Sequence, residues 1–281
     1  MKSHPDSLPP QAIARALGFC VGLSLLVLES GCVNLSAVRD FAQEASTLSA
    51  HRGVSDDLIA TKERLYVYAQ REPKPDDFKE VKIEQQEFDH EQQTLVKYMA
   101  SLASLADNDV SSFEKEFAQA GNAASKANLL DANKVSALTS AGDLAARLAT
   151  DYGRERKIRE LVGRTDPAIQ DLISKLLGLI RGSYMASLDT EKQGAEEFIR
   201  EAKSEKIEGL SRLTDLVMRD HLLLIEARRD SAETYAKALE RIARAHGDLA
   251  GHLGDFTTKE FIAQMKEYSD SIKDLRSQLK N

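Results

Sequence analysis

Side chains able to do chemistry are few in this chain and widely spaced. Glu87-Phe88-Asp89-His90 is an E-x-x-H, the spacing by which di-iron helical bundles set a carboxylate and an imidazole on one face. Such a site needs a second E-x-x-H and two more glutamates on facing helices, and the chain holds no second copy. Glu87 and His90 are therefore weak metal candidates. Phe88 is a core residue by pattern, which leaves both flanking it in water. His221 and His246 fall on the apolar stripe of a long helical segment, too far apart, at roughly 37 Å along a straight helix, to share a metal. Each reads as a structural histidine, hydrogen-bonded in or near the core. Tyr235, Leu239, Ile242, His246 and Leu249 follow steps of four, three, four and three, so His246 is expected to face other helices. Burial would favour its neutral form, whereas a carboxylate on the facing helix would favour the charged one. Arg228 shares the stripe and invites an ion pair with a neighbouring helix. There is no G-x-S-x-G elbow and no glycine-rich phosphate loop. No catalytic residue and no cofactor are expected.

The remaining nucleophile is a thiol, and its setting is the most informative stretch of the chain. An apolar run from Leu17 to Leu28 follows Lys2 and Arg15 and ends in Ser30-Gly31-Cys32. The run falls short of the roughly 20 residues that a spanning helix needs and suits the core of a secretory signal. This stretch resembles the lipobox of bacterial lipoprotein precursors, in which the signal is cut before a cysteine that carries diacylglycerol. Glu29 stands where that pattern prefers an apolar residue, with Leu28 displaced by one. The resemblance implies a signal peptide at 1–31, lipidation of Cys32, and a bilayer as the partner of the acylated cysteine. With Val33 following, it also implies sorting to the outer membrane with the domain in the periplasm. The alternatives are a non-lipidated signal and an uncleaved hydrophobic anchor.

Composition constrains the rest. The 281 residues carry 38 basic and 45 acidic side chains, a net charge of −7 that removal of residues 1–31 leaves unchanged. An acidic chain without a basic run offers no footprint for a nucleic acid backbone. Cys20 and Cys32 are the only cysteines, so the domain beyond Cys32 has no disulfide and must be stabilised by packing. Tryptophan is absent, proline is rare after residue 10, and Ala, Leu, Glu, Lys and Arg abound, which is the usage of long helices.

Apolar residues at three-to-four spacing begin at Leu35, with Ser36 as the expected N-cap, and no Gly/Ser-rich tether separates them from Cys32. A second helical piece covers 56–70 and breaks at 71–76, where Pro73 and Pro75 disfavour the α region. A seam of near-heptad spacing from Phe78 to Leu105 holds Gln85 and Gln92 among its apolar residues. Ser111 with Glu114 predicts a capping box for the next helix, and Asp131 starts another that reaches Leu161. Asp166-Pro167 predicts a helix start, N-cap followed by N1, ahead of the widest apolar face, Ile169 to Ile180. The longest stripe takes in Leu210, Leu213, Val217, Leu224, Tyr235, Leu239, Ile242, Leu249 and Leu253, and Thr257 with Glu260 predicts a cap for a last helix.

The expected fold is all-α: an elongated bundle of long antiparallel helices with coiled-coil-like packing, one domain at 32–281 that could divide into 32–130 and 131–281. The expected function is a non-enzymatic scaffold or protein-interaction component of the envelope, with protein partners there and no nucleic acid. Two other classes remain open. One is a membrane-active protein like the helical pore-forming toxins, for which only Leu172 to Ile180 approaches an apolar hairpin; the other is a helical-bundle metalloenzyme resting on Glu87 and His90.

Overall fold

Leu35, Val38, Phe41, Ala45 and Leu48 recur every three or four residues and all are buried, so the first helix, α1 (Ser36–Ser49), forms around that stripe. The computed structural model describes residues 35–126, 151–204, 208–252 and 256–279, and these are all-α, without a strand. Cys32, the apolar run before it and the segment Asp131–Leu148 lie outside the described residues. After α1 come α2 (Gly53–Tyr68), a 3₁₀ turn (Pro75–Phe78), α3 (Lys79–Ala106), α4 (Val110–Lys126), α5 (Asp151–Gly178), a π-helical segment (Leu179–Tyr184), α6 (Met185–Ser204), α7 (Glu208–Gly251) and α8 (Lys259–Gln278). The break at 71–76 stands where the prolines put it. Gln70 and Asn108 adopt the left-handed conformation just past the ends of α2 and α3.

Cross-helix contacts give the directions. Tyr98 of α3 meets Thr165, while Glu84, earlier in α3, meets Ser183, so α3 runs antiparallel to the continuous rod of α5, π segment and α6. Ala243 meets Gln170 and Glu226 meets Lys192, so α7 is antiparallel to that rod in turn. α8 packs on α1 and α7, and α4 on α3. The face Ile169, Leu172, Ile173, Leu176 and Ile180 lies fully in the core, as its width demands. One apolar cluster takes side chains from both halves of the chain.

Several sequence expectations give way to tertiary packing. Pro167 lies inside α5 instead of opening it, although an interior proline lacks a donor and costs about 3 kcal/mol. Thr165 and Asp166 just before it are held by α3 and α7, and Ala168, Ile169 and Leu172 just after it are buried, so contacts on both sides keep the helix running. Asp166 thereby spends its carboxylate on His246 and Gln170. The caps differ too. Ser36 is the first residue of α1, and the N-cap position falls instead on Leu35, whose side chain makes no cap hydrogen bond. Asp109 accepts from the Ser112 amide at the start of α4, and Thr258 from the Phe261 amide at the start of α8.

The largest departure is in α7. Its C-terminal half buries Tyr235, Leu239, Ile242 and Leu249 as expected, but Leu213, Val217 and Leu224 are exposed, at 60%, 56% and 53%. The buried positions there are Thr214, Met218 and Ile225, in phase with His221 and Arg228. In this half of α7 a mixed stripe and an apolar one lie side by side, and α6 covers the mixed one. The side chains of Leu210 and Leu253 lie outside the described residues.

Candidate functional site

His246 is fully buried and joins three helices. Its Nδ1 lies 2.7 Å from Asp166 Oδ1 and its Nε2 2.7 Å from the Tyr98 hydroxyl, which lies 2.7 Å from Thr165 Oγ1. His246 is thus buried as its spacing predicts, but it also has what the burial argument alone did not supply, a carboxylate on a facing helix. The hydrogen bond from His246 holds the Asp166 carboxyl below its usual range, so this carboxylate accepts and His246 Nδ1 donates. With the ring neutral, Tyr98 donates to Nε2 and Thr165 to Tyr98. With the ring charged, Nε2 donates to Tyr98, Tyr98 to Thr165, and Thr165 to the Leu161 carbonyl 2.9 Å away. Either state satisfies every group in the chain of bonds. Burial pushes the Tyr98 hydroxyl far up, so phenolate chemistry has no part here. The arrangement resembles a proton relay in its parts, but His246, Tyr98 and Thr165 are wholly buried and only Asp166 reaches the surface, and it locks α3, α5 and α7 in register.

His221 belongs to a second cluster, at the root of the α6–α7 hairpin. Its Nε2 lies 2.9 Å from Glu191 Oε1 and its ring meets Tyr68 edge-on at 5.7 Å. Glu191, wholly buried, also receives Arg64 Nε at 2.6 Å. The two Nη groups of Arg64 grip Asp57 at 3.0 and 2.8 Å, and Thr61 and Tyr184 donate to the same Asp57. Burial raises the Asp57 carboxyl, but the bonds from Arg64, Thr61 and Tyr184 outweigh it and hold the carboxyl below its usual range. Arg228 completes the cluster, 3.7 Å from Asp57 and 3.6 Å from Glu191, which is the inter-helix pairing expected for it. Two carboxylates and two guanidiniums balance without a metal. Tyr68 at its edge is pushed up to about 12, chiefly by burial.

Glu87 is exposed and His90 half-exposed, with Phe88 fully buried between them. Among the described residues no three His, Cys, Asp or Glu side chains stand close enough to hold a metal ion. Cys32, the lipidation candidate, lies outside the described residues. His221 and His246 sit in separate networks.

Three features escaped the sequence reading. Asp57, Thr61, Arg64 and Tyr68 share one face of α2, a pattern indistinguishable from a solvated stripe until Glu191 is placed opposite. The Tyr98–Thr165 bond spans 67 residues. Glu91, one residue past the E-x-x-H, is 2% exposed, and burial pushes its carboxyl up to about 7. Comparison with protein-family models, with curated proteins and with solved structures gives no match for this chain, so any function must be argued from its own residues.

Proposed function

We propose that this chain is a non-enzymatic helical interaction protein of the bacterial envelope, tethered to the outer membrane through an acylated Cys32, with its bundle in the periplasm. The stretch from Leu17 to Cys32 carries the proposal, being an apolar run of signal length ended by Ser30-Gly31-Cys32. The short interval between Cys32 and α1 supports a bundle that abuts the bilayer. Arg39 of α1 pairs with Asp107 at the end of α3, so α1 enters at the end of the bundle where α3 and α7 finish, and the α6–α7 hairpin points away from the anchor. Acylation would bury many CH₂ groups at about 0.8 kcal/mol each, enough for stable attachment.

The histidines most able to do chemistry are engaged in structural networks, which weighs against catalysis. A membrane-active role has less support: the apolar face of α5 is already used in the core, and no described helix is long and apolar enough to cross a membrane. A net charge of −7 also suits an anionic bilayer poorly.

Palmitate labelling with cell fractionation tests the anchor. Cys32→Ser should abolish labelling and either release the chain to the periplasm or leave an unprocessed precursor. Undiminished labelling of that variant would end the lipoprotein reading. Leakage from anionic vesicles on adding the fragment from Val33 onward would favour the membrane-active class instead.

A further inference from the structure

The turn between α1 and α2 is joined to the core through its main chain. Tyr235 of α7 donates its hydroxyl to the Ser49 carbonyl at 3.1 Å, Gln92 of α3 donates to the His51 carbonyl, and Gln92 also donates to the Tyr235 hydroxyl at 3.0 Å. Tyr235 and Gln92 are both buried, so α1, α3 and α7 meet in a polar contact inside the bundle. His51 lies in the middle of this turn. Its ring is tilted against that of Tyr235, with 5.3 Å between centroids. Its Nε2 is shielded from solvent and has no hydrogen-bond partner among the described residues. The seat exists because residue 53 is a glycine: a Cβ there would come within 2.6 Å of His51 Nε2, well inside van der Waals contact, and the ring would have to leave.

This seat accepts a neutral ring and rejects a charged one. Protonation would give Nε2 a hydrogen with no acceptor, and a buried donor without a partner is costly. The charges around the ring offer little relief. On α2, Asp56 favours the charged ring, but it is exposed and already accepts from Arg52 at 3.1 Å. On α3, Asp89 is taken by Ser55 and Arg52, and Glu91 faces α5. On α7 the facing group is Tyr235, whose hydroxyl burial pushes far up and which donates to Ser49. α1 ends in Leu48 and Ser49, neither of them charged. Burial accordingly holds the His51 imidazole below its ordinary value, with Asp56 acting against it.

We propose that the α1–α2 turn is an acid-sensitive latch, in which charging of His51 drives its ring out of the seat formed by Gly53 and Tyr235 and frees the turn from α3 and α7. The closed turn binds this proton less readily than the open one. Closure is therefore fully stable above the ordinary histidine value of about 6.5 and weakens as pH falls through it. Opening gives up two bonds to the main chain and leaves Gln92 and Tyr235 bonded to each other. Asp57 and Arg64, gripped together under Glu191, hold the rest of α2 in place and confine the opening to its first turn and the residues just before it.

Hydrogen exchange and histidine NMR of the full chain in mild detergent test this. Corrected for intrinsic exchange, the amides of residues 50–56 should lose at least about tenfold in protection between about pH 7.5 and about pH 5, while those of α5 change less than about twofold. His51→Phe keeps a ring in the seat and removes the charge, and should abolish that response. Gly53→Ala should open the turn already at neutral pH, with the helical circular dichroism of the wild type. A wild-type turn that stays protected at acid pH, or one that loses protection equally in His51→Phe, would overturn the proposal. So would a His51 titration at or above about 6.5, or a Gly53→Ala chain as protected as the wild type.

Discussion

Replacing Glu91 by glutamine should make the protein more stable, by a margin that opens as pH rises above about 4.5 and is complete beyond about 7. Glu91 projects from α3 towards Asp171 and Lys175 of α5, 2% exposed, and its Oε2 accepts no hydrogen bond from the described residues. Burial raises its carboxyl from 4.5 to about 7; Glu87 and Asp171 push the same way, and Lys175 opposes them. The fold therefore binds this proton more tightly than the unfolded chain does. Its stabilising effect is fully present below pH 4.5 and is lost as pH rises to about 7 and beyond. The difference corresponds to about 3 kcal/mol, since each pH unit is worth about 1.36 kcal/mol. Glutamine keeps the shape and removes the titration. Urea unfolding of the two proteins, as the chain from Val33 onward, should give nearly equal stabilities near pH 4.5 and a gap of about 3 kcal/mol favouring Glu91→Gln near pH 8. A gap that does not change with pH, or a glutamine variant less stable at pH 8, would refute the reasoning and imply that Lys175 closes onto Glu91 in solution.

Three further substitutions probe the networks. Pro167→Ala should raise the urea midpoint, because relief of a helix-interior penalty of about 3 kcal/mol outweighs the roughly 1 kcal/mol lost through a freer unfolded chain; an unchanged or lower midpoint would count against this. Glu191→Leu strands Arg64 and Arg228 beside a single carboxylate and should destabilise by about 3–5 kcal/mol in chemical denaturation, and a loss under 1 kcal/mol would mean that water already enters the cluster. His246→Leu should cost about 1–3 kcal/mol through the lost partner of Asp166 and Tyr98. Its double-mutant cycle with Asp166→Asn should be non-additive, and additive values would show that the two do not interact in solution.

What could be read from the sequence follows the range of the forces involved. The stripe from Leu35 to Leu48, the seam through Phe88 and Leu95, the face from Ile169 to Ile180 and the break at Pro73 and Pro75 are set by periodicity and backbone chemistry, which are local. Asp166-Pro167 misled because Asp166 is an excellent cap in isolation, and only His246, 80 residues later, gives its carboxylate another use. Leu213, Val217 and Leu224 misled for a related reason. Periodicity reports that a helix has an apolar face, and where two faces adjoin, as in this half of α7, it cannot say which one a neighbour takes. The cluster of Asp57, Arg64, Glu191 and Arg228 was invisible because each residue alone is an ordinary surface charge. Arg228 alone stood out, since it broke an apolar stripe.

The π segment, Leu179–Tyr184, has a consequence for how this chain can tolerate change. A π turn holds one residue more than an α turn, so everything downstream is rotated by about 100° relative to an uninterrupted helix. Tyr184 closes the segment and reaches Asp57, and Leu188, Glu191 and Ala195 all take their buried positions after that rotation. The rod is thus written in two phases joined by a one-residue slip. Losing a single residue between 179 and 184 would let the helix anneal into an uninterrupted α-helix, and because the residue lost and the rotation lost cancel, Leu188, Glu191 and Ala195 would keep the faces they have now. Closing the π turn at unchanged chain length would instead turn Glu191 away from Arg64 and bring a different face of α6 onto α2. The helix interior, elsewhere the place least tolerant of length change, here contains the position at which one residue fewer leaves the packed faces where they are.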